Sequence, residues 1–405
     1  MLTRQGWTVV WGALALFSAG RLLGISQLYV FGAAAALLVV AAVAYVRLVR
    51  IDLEVDRRVH PRRVHAGSVS NVHVGVRNLH DRSTPLLRLY DPVSGTDGAA
   101  MLLSPLDQGA TATCTYPLPT GHRGIVHAGP LRVVITDPFG LAQSAIDAAE
   151  RVQVTVFPRV DEVQPVPFTL GHDPLAGALQ PHALGRSGDD FYALRPYVMG
   201  DDLRRIHWPS TARHDELLVR QHEQPWQGRT TVLLDVHGAT YDGRDFETAV
   251  SAAASIITAN SKRHDLVRLL TSAGTDSGFG TGHGHLEVML EHLAVVEPSR
   301  SASLRPVLGM VQRGRGSGGA LVAIAGQLTV ESTVALRRIR RDLGSLMVVL
   351  VDSAHLTRRP AAVSPIEADL PTVRVSRDVP FETAWKQALP PRHERRAVLG
   401  PRHTG

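Results

Sequence analysis

Two long apolar runs open the chain. Gly6 to Gly20 is almost wholly apolar and is extended by Leu22, Leu23 and Ile25. Arg21 interrupts it close enough to the end for its side chain to reach water. Leu28 to Val46 follows, nineteen residues without a charge. As a helix it would be about 28 Å long, close to the hydrocarbon thickness of a bilayer. Tyr29 and Tyr45 near its ends, and Trp7 and Trp11 at the start of the first run, suit the membrane interface. The pattern predicts a transmembrane helical hairpin over residues 1–49. A cleaved signal peptide ending near Ser18-Ala19-Gly20 is the weaker alternative, because a full spanning segment follows so closely.

The period then shortens to two. Val72, Val74 and Val76, with Val69 just before them, alternate with Asn71, His73 and Gly75 as in a half-buried strand. Leu86–Tyr90, Thr111–Tyr116, Leu131–Thr136 and Val152–Phe157 are further strand candidates. Turn signals separate them at Ser94-Gly95, Pro117 to Gly121, Gly129-Pro130 and Asp137-Pro138-Phe139-Gly140. Short strands at this spacing predict an all-β, immunoglobulin-like sandwich over residues 50–160, by shape alone since the hallmark cysteine pair is absent.

From Arg229 onward short apolar runs alternate with helix-length segments. The runs are Thr231–Asp235, Leu266–Thr271, Leu321–Ala325, Leu346–Val351 and Thr372–Val375. The helical stretches are Asp245–Asn260, Leu286–Val295, Leu304–Gln312 and Val330–Arg341. That alternation predicts a doubly wound α/β domain over residues 229–389 with a mostly parallel sheet. Ligands of such sheets bind beyond the carboxyl ends of the strands, where Asp235 would stand. Residues 390–405 read as a disordered basic tail.

The segment 161–228 links the two and holds the most distinctive sequence. Between Gly185 and His222 lie six arginines and six acids, a balance that favours internal ion pairing over a polyanion site. Tyr192, Tyr197 and Trp208 interleave with them, so stacking on guanidinium is also available. An ion-pair strap between the domains is favoured over a recognition surface.

Within this segment, Arg186-Ser187-Gly188-Asp189-Asp190-Phe191, Leu194-Arg195-Pro196-Tyr197 and Gly200-Asp201-Asp202-Leu203-Arg204-Arg205-Ile206-His207-Trp208, with Thr211-Ala212-Arg213, resemble the domain-of-unknown-function 58 family. Upstream, His122-Arg123-Gly124, Gly129-Pro130-Leu131 and Asp137-Pro138-Phe139-Gly140-Leu141 resemble that family's β region. The resemblance implies two N-terminal transmembrane helices, then the sandwich, then a von Willebrand A-like α/β domain. It also implies chaperone-like or assembly work beside a MoxR-type AAA+ ATPase, near transglutaminase-like membrane proteins, and brings no defined reaction. Its signature maps onto Gly188, Asp190, Phe191, Arg195, Tyr197, Gly200, Asp201, Asp202, Arg204, Ile206, Trp208 and Arg213.

Von Willebrand A domains hold a divalent cation through Asp-x-Ser-x-Ser after the first strand, a later Thr, and an Asp after another strand. Here the first motif reads Asp235-Val236-His237-Gly238-Ala239, and Gly326-Gln327 stands where the later Asp would. Too few hard oxygen ligands remain for Mg²⁺, so the site is degenerate and no metal or cofactor is expected. Asp235 is expected to serve as a hydrogen-bonding residue at the strand end or a helix N-terminal partner.

Other candidate chemistry is thinner. No HExxH motif occurs, and His283-Gly284-His285 has no third ligand nearby. His207, His214 and His222 are expected to pack or pair. Gly278 to Gly282 lacks the spacing and the Lys-Ser/Thr ending of a phosphate loop and reads as a flexible connection. Cys114 reads as a small buried hydrophobe, and Arg337, Arg338, Arg340 and Arg341 as a solvated helix face. No catalytic residues are expected.

Composition changes this picture in one respect. The 405 residues carry 43 Lys+Arg against 37 Asp+Glu, a net charge of +6 that invites a nucleic-acid reading. Residues 1–46 hold +2, residues 47–63 +3 and the tail another +3, so the folded body is slightly acidic. The charge therefore belongs to the membrane surface and the tail, and no nucleic-acid partner is expected. Arginine after the second span sets both termini and the soluble domains in the cytoplasm. Lys262 and Lys386 are the only lysines, a bias that points to a high-GC actinobacterial genome. The expected function is a non-enzymatic membrane-anchored assembly partner; a metal-dependent hydrolase centred on Asp235 is the alternative.

Overall fold

The computed structural model describes residues 1–167, 191–197, 206–214, 216–222, 228–241, 243–313, 319–351, 370–376 and 379–389. The chain packs as two units: one holds Met1–Val160 with Leu290–Val296, the other the remaining described residues.

In the first unit, α1 (Arg4–Leu23) and α2 (Ser26–Leu48) are long and apolar enough to cross a bilayer. Thr3 caps α1, its Oγ1 accepting the Gly6 N–H at 3.0 Å, and Gly24 at φ +70° ends it. The helices pack closely: a Cβ at Gly32 would lie 3.1 Å from the Phe17 ring and 3.3 Å from the Ala13 carbonyl oxygen. Small residues of this kind let apolar helices approach where lipid supplies no hydrophobic drive.

Ten strands follow: β1 (Leu53–His60), β2 (Arg63–His65), β3 (Asn71–Asn78), β4 (Leu87–Asp91), β5 (Ala99–Leu103), β6 (Thr111–Pro117), β7 (Gly124–Ala128), β8 (Leu131–Thr136), β9 (Gln143–Ala149) and β10 (Val152–Phe157). They form sheets β1-β3-β6, β5-β4-β8-β9 and β2-β10-β7, antiparallel except for the β2–β10 pair. One core joins all three, with Val72, Val74 and Val76 facing Leu87, Leu89, Leu131, Val133, Val154 and Val156. The period-two valines are thus the buried face of β3, while Val69 lies before the strand and is exposed. The sequence pattern left out β1, β2, β5, β7 and β9.

The second unit begins with an antiparallel pair, β11 (Phe191–Pro196) and β12 (Leu218–His222), and a short helix α3 (Trp208–His214). A fully parallel sheet follows from β13 (Arg229–Leu234), α4 (Gly243–Lys262), β14 (Leu266–Thr271), α5 (His283–Val295), α6 (Leu304–Arg313), β15 (Ala320–Ala325), α7 (Val330–Arg340), β16 (Ser345–Val351), β17 (Thr372–Val375) and α8 (Phe381–Ala388). Its strand order is β14-β13-β15-β16-β17. Leu233, Leu321, Ala323, Val348 and Leu350 line one face beneath α6 and α7. The intervening Val232, Leu234, Val322, Ile324 and Val349 are equally buried. A sheet covered on both faces needs such continuous apolar strands, which is why these were readable in sequence.

Residues 161–166 lie against this second unit. The Asp161 N–H donates to Ser255 Oγ at 2.9 Å, and the Val166 N–H to Asn260 Oδ1 at 3.2 Å, both on α4. Trp385 Nε1 on α8 donates to the Gln164 carbonyl at 2.8 Å.

Candidate functional site

The sheet has a topological switch point between β13 and β15. The chain leaves β13 toward β14 on one side and leaves β15 toward β16 on the other, which opens a crevice at their carboxyl ends. Asp235 follows β13 directly at this edge, with its N–H on the Ile324 carbonyl at 2.8 Å.

Its side chain is 2% exposed. Oδ1 accepts the Ser272 hydroxyl at 2.7 Å and the His237 N–H at 3.1 Å. Ser272 Oγ in turn accepts the Val236 N–H at 2.8 Å, and the Ser272 N–H reaches the Leu234 carbonyl. Tyr241 closes the turn, donating its hydroxyl to the Asp235 carbonyl at 2.9 Å. The loop after α5 forms the rim, with the Ser299 N–H on the Val236 carbonyl at 2.7 Å and Ser299 Oγ 3.0 Å from Ser301 Oγ. Burial pushes the Asp235 carboxyl above its ordinary range, and the Ser272 hydrogen bond and the His237 N–H partly oppose it. Tyr241 rises far above its usual value, from burial and then from the Asp235 charge.

These residues do not suit a hard divalent cation. One buried carboxylate already receives two donors, and Gly326-Gln327 after β15 brings no second one. Among the described residues no group of three or more His, Cys, Asp or Glu side chains could hold a metal ion. Asp235 acts instead as a hydrogen-bonding residue at the strand end. Sequence reasoning missed Ser272. Its signal was position: it follows β14 directly, and Leu234 of β13 is in register with Thr271.

Part of the signature segment is described. Phe191 and Arg195 lie on β11, Tyr197 follows it, and the Tyr197 N–H reaches the Leu217 carbonyl at 2.7 Å. Ile206 is buried and bridges Val219 of β12. The His207 ring lies 2.7 Å from Ser210 Oγ at the start of α3, and Thr211 Oγ1 accepts the Leu218 N–H at 3.0 Å. Trp208 and Arg213 are exposed on α3, Trp208 to 64%. Gly188, Asp190, Gly200, Asp201, Asp202 and Arg204 lie outside the described residues, as does the basic tail.

The glycine-rich loop is more ordered than a flexible connection. Gly280 pairs antiparallel with Val267 at the edge of β14, and Asp276 bridges Leu270. Phe279 lies under the guanidinium groups of Arg229 and Arg268, 5.9 and 5.4 Å from its centroid, and Arg268 is paired with Asp276. His285, in the first turn of α5, has its Nε2 2.9 Å from the Val267 carbonyl oxygen. Cys114 is half-buried in β6, and its thiol is raised by burial.

The first unit contains a buried polar cluster that sequence reasoning also missed. Arg57 Nη1 on β1 lies 3.0 and 2.9 Å from the two carboxylate oxygens of Asp91 on β4, with both side chains almost fully buried. Tyr116 donates to the same carboxylate at 2.5 Å, and Arg57 also donates to the Ala128 and Glu150 carbonyls. Gly129, at φ +100°, leaves room for the guanidinium, since a Cβ there would sit 2.7 Å from Nη1.

With this geometry in view, one family model matches. Residues 193–358 match Protein of unknown function DUF58. The DUF58 match starts within β11 and runs past β16, so it takes in Asp235, Ser272 and the described signature residues from Arg195 to Arg213, while Phe191 precedes it. Among curated proteins none matches the chain. Solved structures similar to parts of it include the CARDB domain of a Pyrococcus furiosus protein in complex with di-metal ions, 16% identical over 26% of this chain and 93% of that one, with a TM-score of 0.21. A β-glucosidase from Erythrobacter marinus is 14% identical over 26% of this chain and 15% of its own, at a TM-score of 0.18. A Listeria innocua β-glucosidase in complex with gluconolactone is 14% identical over 24% of this chain and 16% of its own, at 0.17.

Proposed function

We propose that the chain is a membrane-anchored, non-enzymatic assembly module that presents a von Willebrand A-like domain to a MoxR-type AAA+ ATPase in the cytoplasm. One observation carries this reading: at the sheet edge where an α/β enzyme would place its chemistry, the Asp235 carboxylate is buried and bound by the chain's own Ser272 hydroxyl and His237 N–H. That edge offers a shaped, hydroxyl-rimmed surface in place of an exposed nucleophile or base. The strand order and the antiparallel Asp276–Gly280 edge beside β14 support the von Willebrand A-like reading. The N-terminal residues support a hairpin that enters and leaves the bilayer on one face, because the Thr3 N–H bonds to the Leu141 carbonyl of the β unit at 2.9 Å. Exposed Arg47 in the last turn of α2 and Arg50 just after that helix favour the cytoplasmic face.

The full-length chain in detergent, mixed with the cognate MoxR-type ATPase in its apo, ADP and ATP-analogue states, tests this. Co-elution in at least one state is expected, weakened by Trp208→Ala or Arg213→Ala on the exposed face of α3. Absence of binding in every state would overturn the partner assignment. A hydrolase centred on Asp235 would instead show a thermal shift with Mg²⁺ or Mn²⁺ that Asp235→Asn abolishes.

A further inference from the structure

The turn Asp137-Pro138-Phe139-Gly140-Leu141-Ala142 is held to an unusual degree for a surface connection. Asp137 is buried, and its two carboxylate oxygens accept the Phe139 N–H at 2.9 Å and the Ala142 N–H at 2.5 Å. The Asp137 N–H bonds to the Ala142 carbonyl at 3.1 Å and the Gly140 N–H to the Asp137 carbonyl at 3.0 Å.

This closed turn is seated on the first turn of α1. Leu2 and Ala142 form an antiparallel bridge, and Thr3 donates its N–H to the Leu141 carbonyl and its hydroxyl to the Gly140 carbonyl, at 2.9 and 2.6 Å. A Cβ at Gly6 would collide with the Leu141 carbonyl oxygen, so the helix start and the turn meet backbone to backbone. Leu141 and Ala142 join Val39, Ala42 and Val46 of α2 in one apolar cluster.

Phe139, at the tip of this rigid turn, is 65% exposed. The ring is thus displayed on a fixed scaffold directly beside the start of an apolar helix. Trp7 and Trp11, one and two turns into α1, are exposed as well. Aromatic rings at the ends of spanning helices favour the headgroup boundary, where ring faces meet lipid and edges meet water.

We propose that Phe139 inserts into the headgroup–acyl boundary of the leaflet that α1 and α2 enter, so that the Asp137–Ala142 turn fixes the β unit against the bilayer. The partner surface is lipid. The inference rests on the reading that α1 and α2 span a membrane, and its test separates the two.

The full chain carrying Cys114→Ser is labelled with an environment-sensitive fluorophore at one introduced cysteine and reconstituted in phosphatidylcholine–phosphatidylglycerol nanodiscs. The positions are Phe139→Cys, Leu37→Cys in α2, and Val69→Cys, which is exposed on the β unit before β3. Lipids carrying a nitroxide near the headgroup or deep in the acyl chain serve as quenchers. The label at 139 is expected to lose roughly half its emission to the shallow quencher, the depth at which interfacial side chains reside. The label at 37 should respond to the deep quencher, and the label at 69 to neither. Quenching at 37 with none at 139 would overturn the proposal and leave the membrane reading intact. No quenching at 37 would overturn both. As a second measurement, Phe139→Trp should retain the shallow contact and Phe139→Ser should loosen the turn's lipid contact without altering the Thr3–Leu141 pairing, read by hydrogen exchange of the Thr3 amide.

Discussion

Arg57 and Asp235 show how a single inward position can be given to a charge. Period two in β1 sends Leu53, Val55, Arg57 and Val59 to the same face, so Arg57 enters the β core and needs Asp91 there. Desolvating both ions costs more than an exposed pair would, and the geometry must compensate: Nη1 meets both Asp91 oxygens, Tyr116 donates to the same carboxylate, and Nη2 donates to two carbonyls. Arg57→Ala is therefore expected to cost about 3–5 kcal/mol by stranding the Asp91 charge, read as a lowered unfolding midpoint of the full chain in detergent. Tyr116→Phe should cost less, about 1.5–3 kcal/mol, the worth of a hydrogen bond to a charged group. Asp235 gives a test of the opposite sign. Its folded-state pKa lies above the ordinary value near 3.8, so the native state binds its proton more tightly than the unfolded chain does. Its contribution to stability is thus greatest at low pH and declines as pH rises from that ordinary value toward the raised one. Asp235→Asn, which keeps an oxygen for Ser272 and the His237 N–H, should remove this decline in a pH series of unfolding midpoints. Asp235→Ala, which leaves both donors unmet, should cost about 1–3 kcal/mol.

At the scale of elements, legibility followed burial pattern. Strands β15 and β16 are buried on both faces, so the unbroken runs Leu321–Ala325 and Leu346–Val351 marked them within a residue. Alternation marked β3, whose valines face one way. The strand β1 escaped because Arg57 occupies an inward position and Asp56 and Arg58 flank it, so the sequence reads as polar. In β9, Gln143–Ala149, small and polar residues hide the period. Asp235 was legible because the end of a buried strand is visible in sequence; Ser272 and Asp91 were not, because their meetings depend on which strands become neighbours. The segment 161–166 shows the same limit. It carries no periodic signal, yet Asn260 of α4 accepts the Val166 N–H while donating to the Ile256 carbonyl at 2.7 Å. Asn260→Leu is expected to speed exchange of the Val166 amide by more than that of amides within α4, because only the former loses its acceptor. Equal acceleration throughout would show instead that α4 itself had come loose.

For the whole molecule, the structure changes which of the six arginines between Arg47 and Arg63 can serve as a topological signal. Arg57 is taken up inside the β core by Asp91, and Arg58 lies 2.8 Å from Asp56 on the surface. Arg47, in the last turn of α2, and Arg50, between that helix and β1, are exposed at the point where the chain would leave the bilayer. Positive charge within about 15–20 residues of a spanning helix biases orientation, and Arg47 and Arg50 stand nearest to the helix end. If the hairpin spans, these two exposed residues are the part of that charge held directly at the helix end. Impermeant maleimide added to intact cells should therefore leave Val69→Cys, in the Cys114→Ser chain, unlabelled until the membrane is opened. Arg47→Glu combined with Arg50→Glu, which reverses two charges at the helix end, should allow a fraction to be labelled from outside, while Arg57→Met, which removes one of six arginines in residues 47–63, should not. Labelling of all three chains from outside would place the β unit on the far side of the membrane and remove the basis for a cytoplasmic ATPase as its partner.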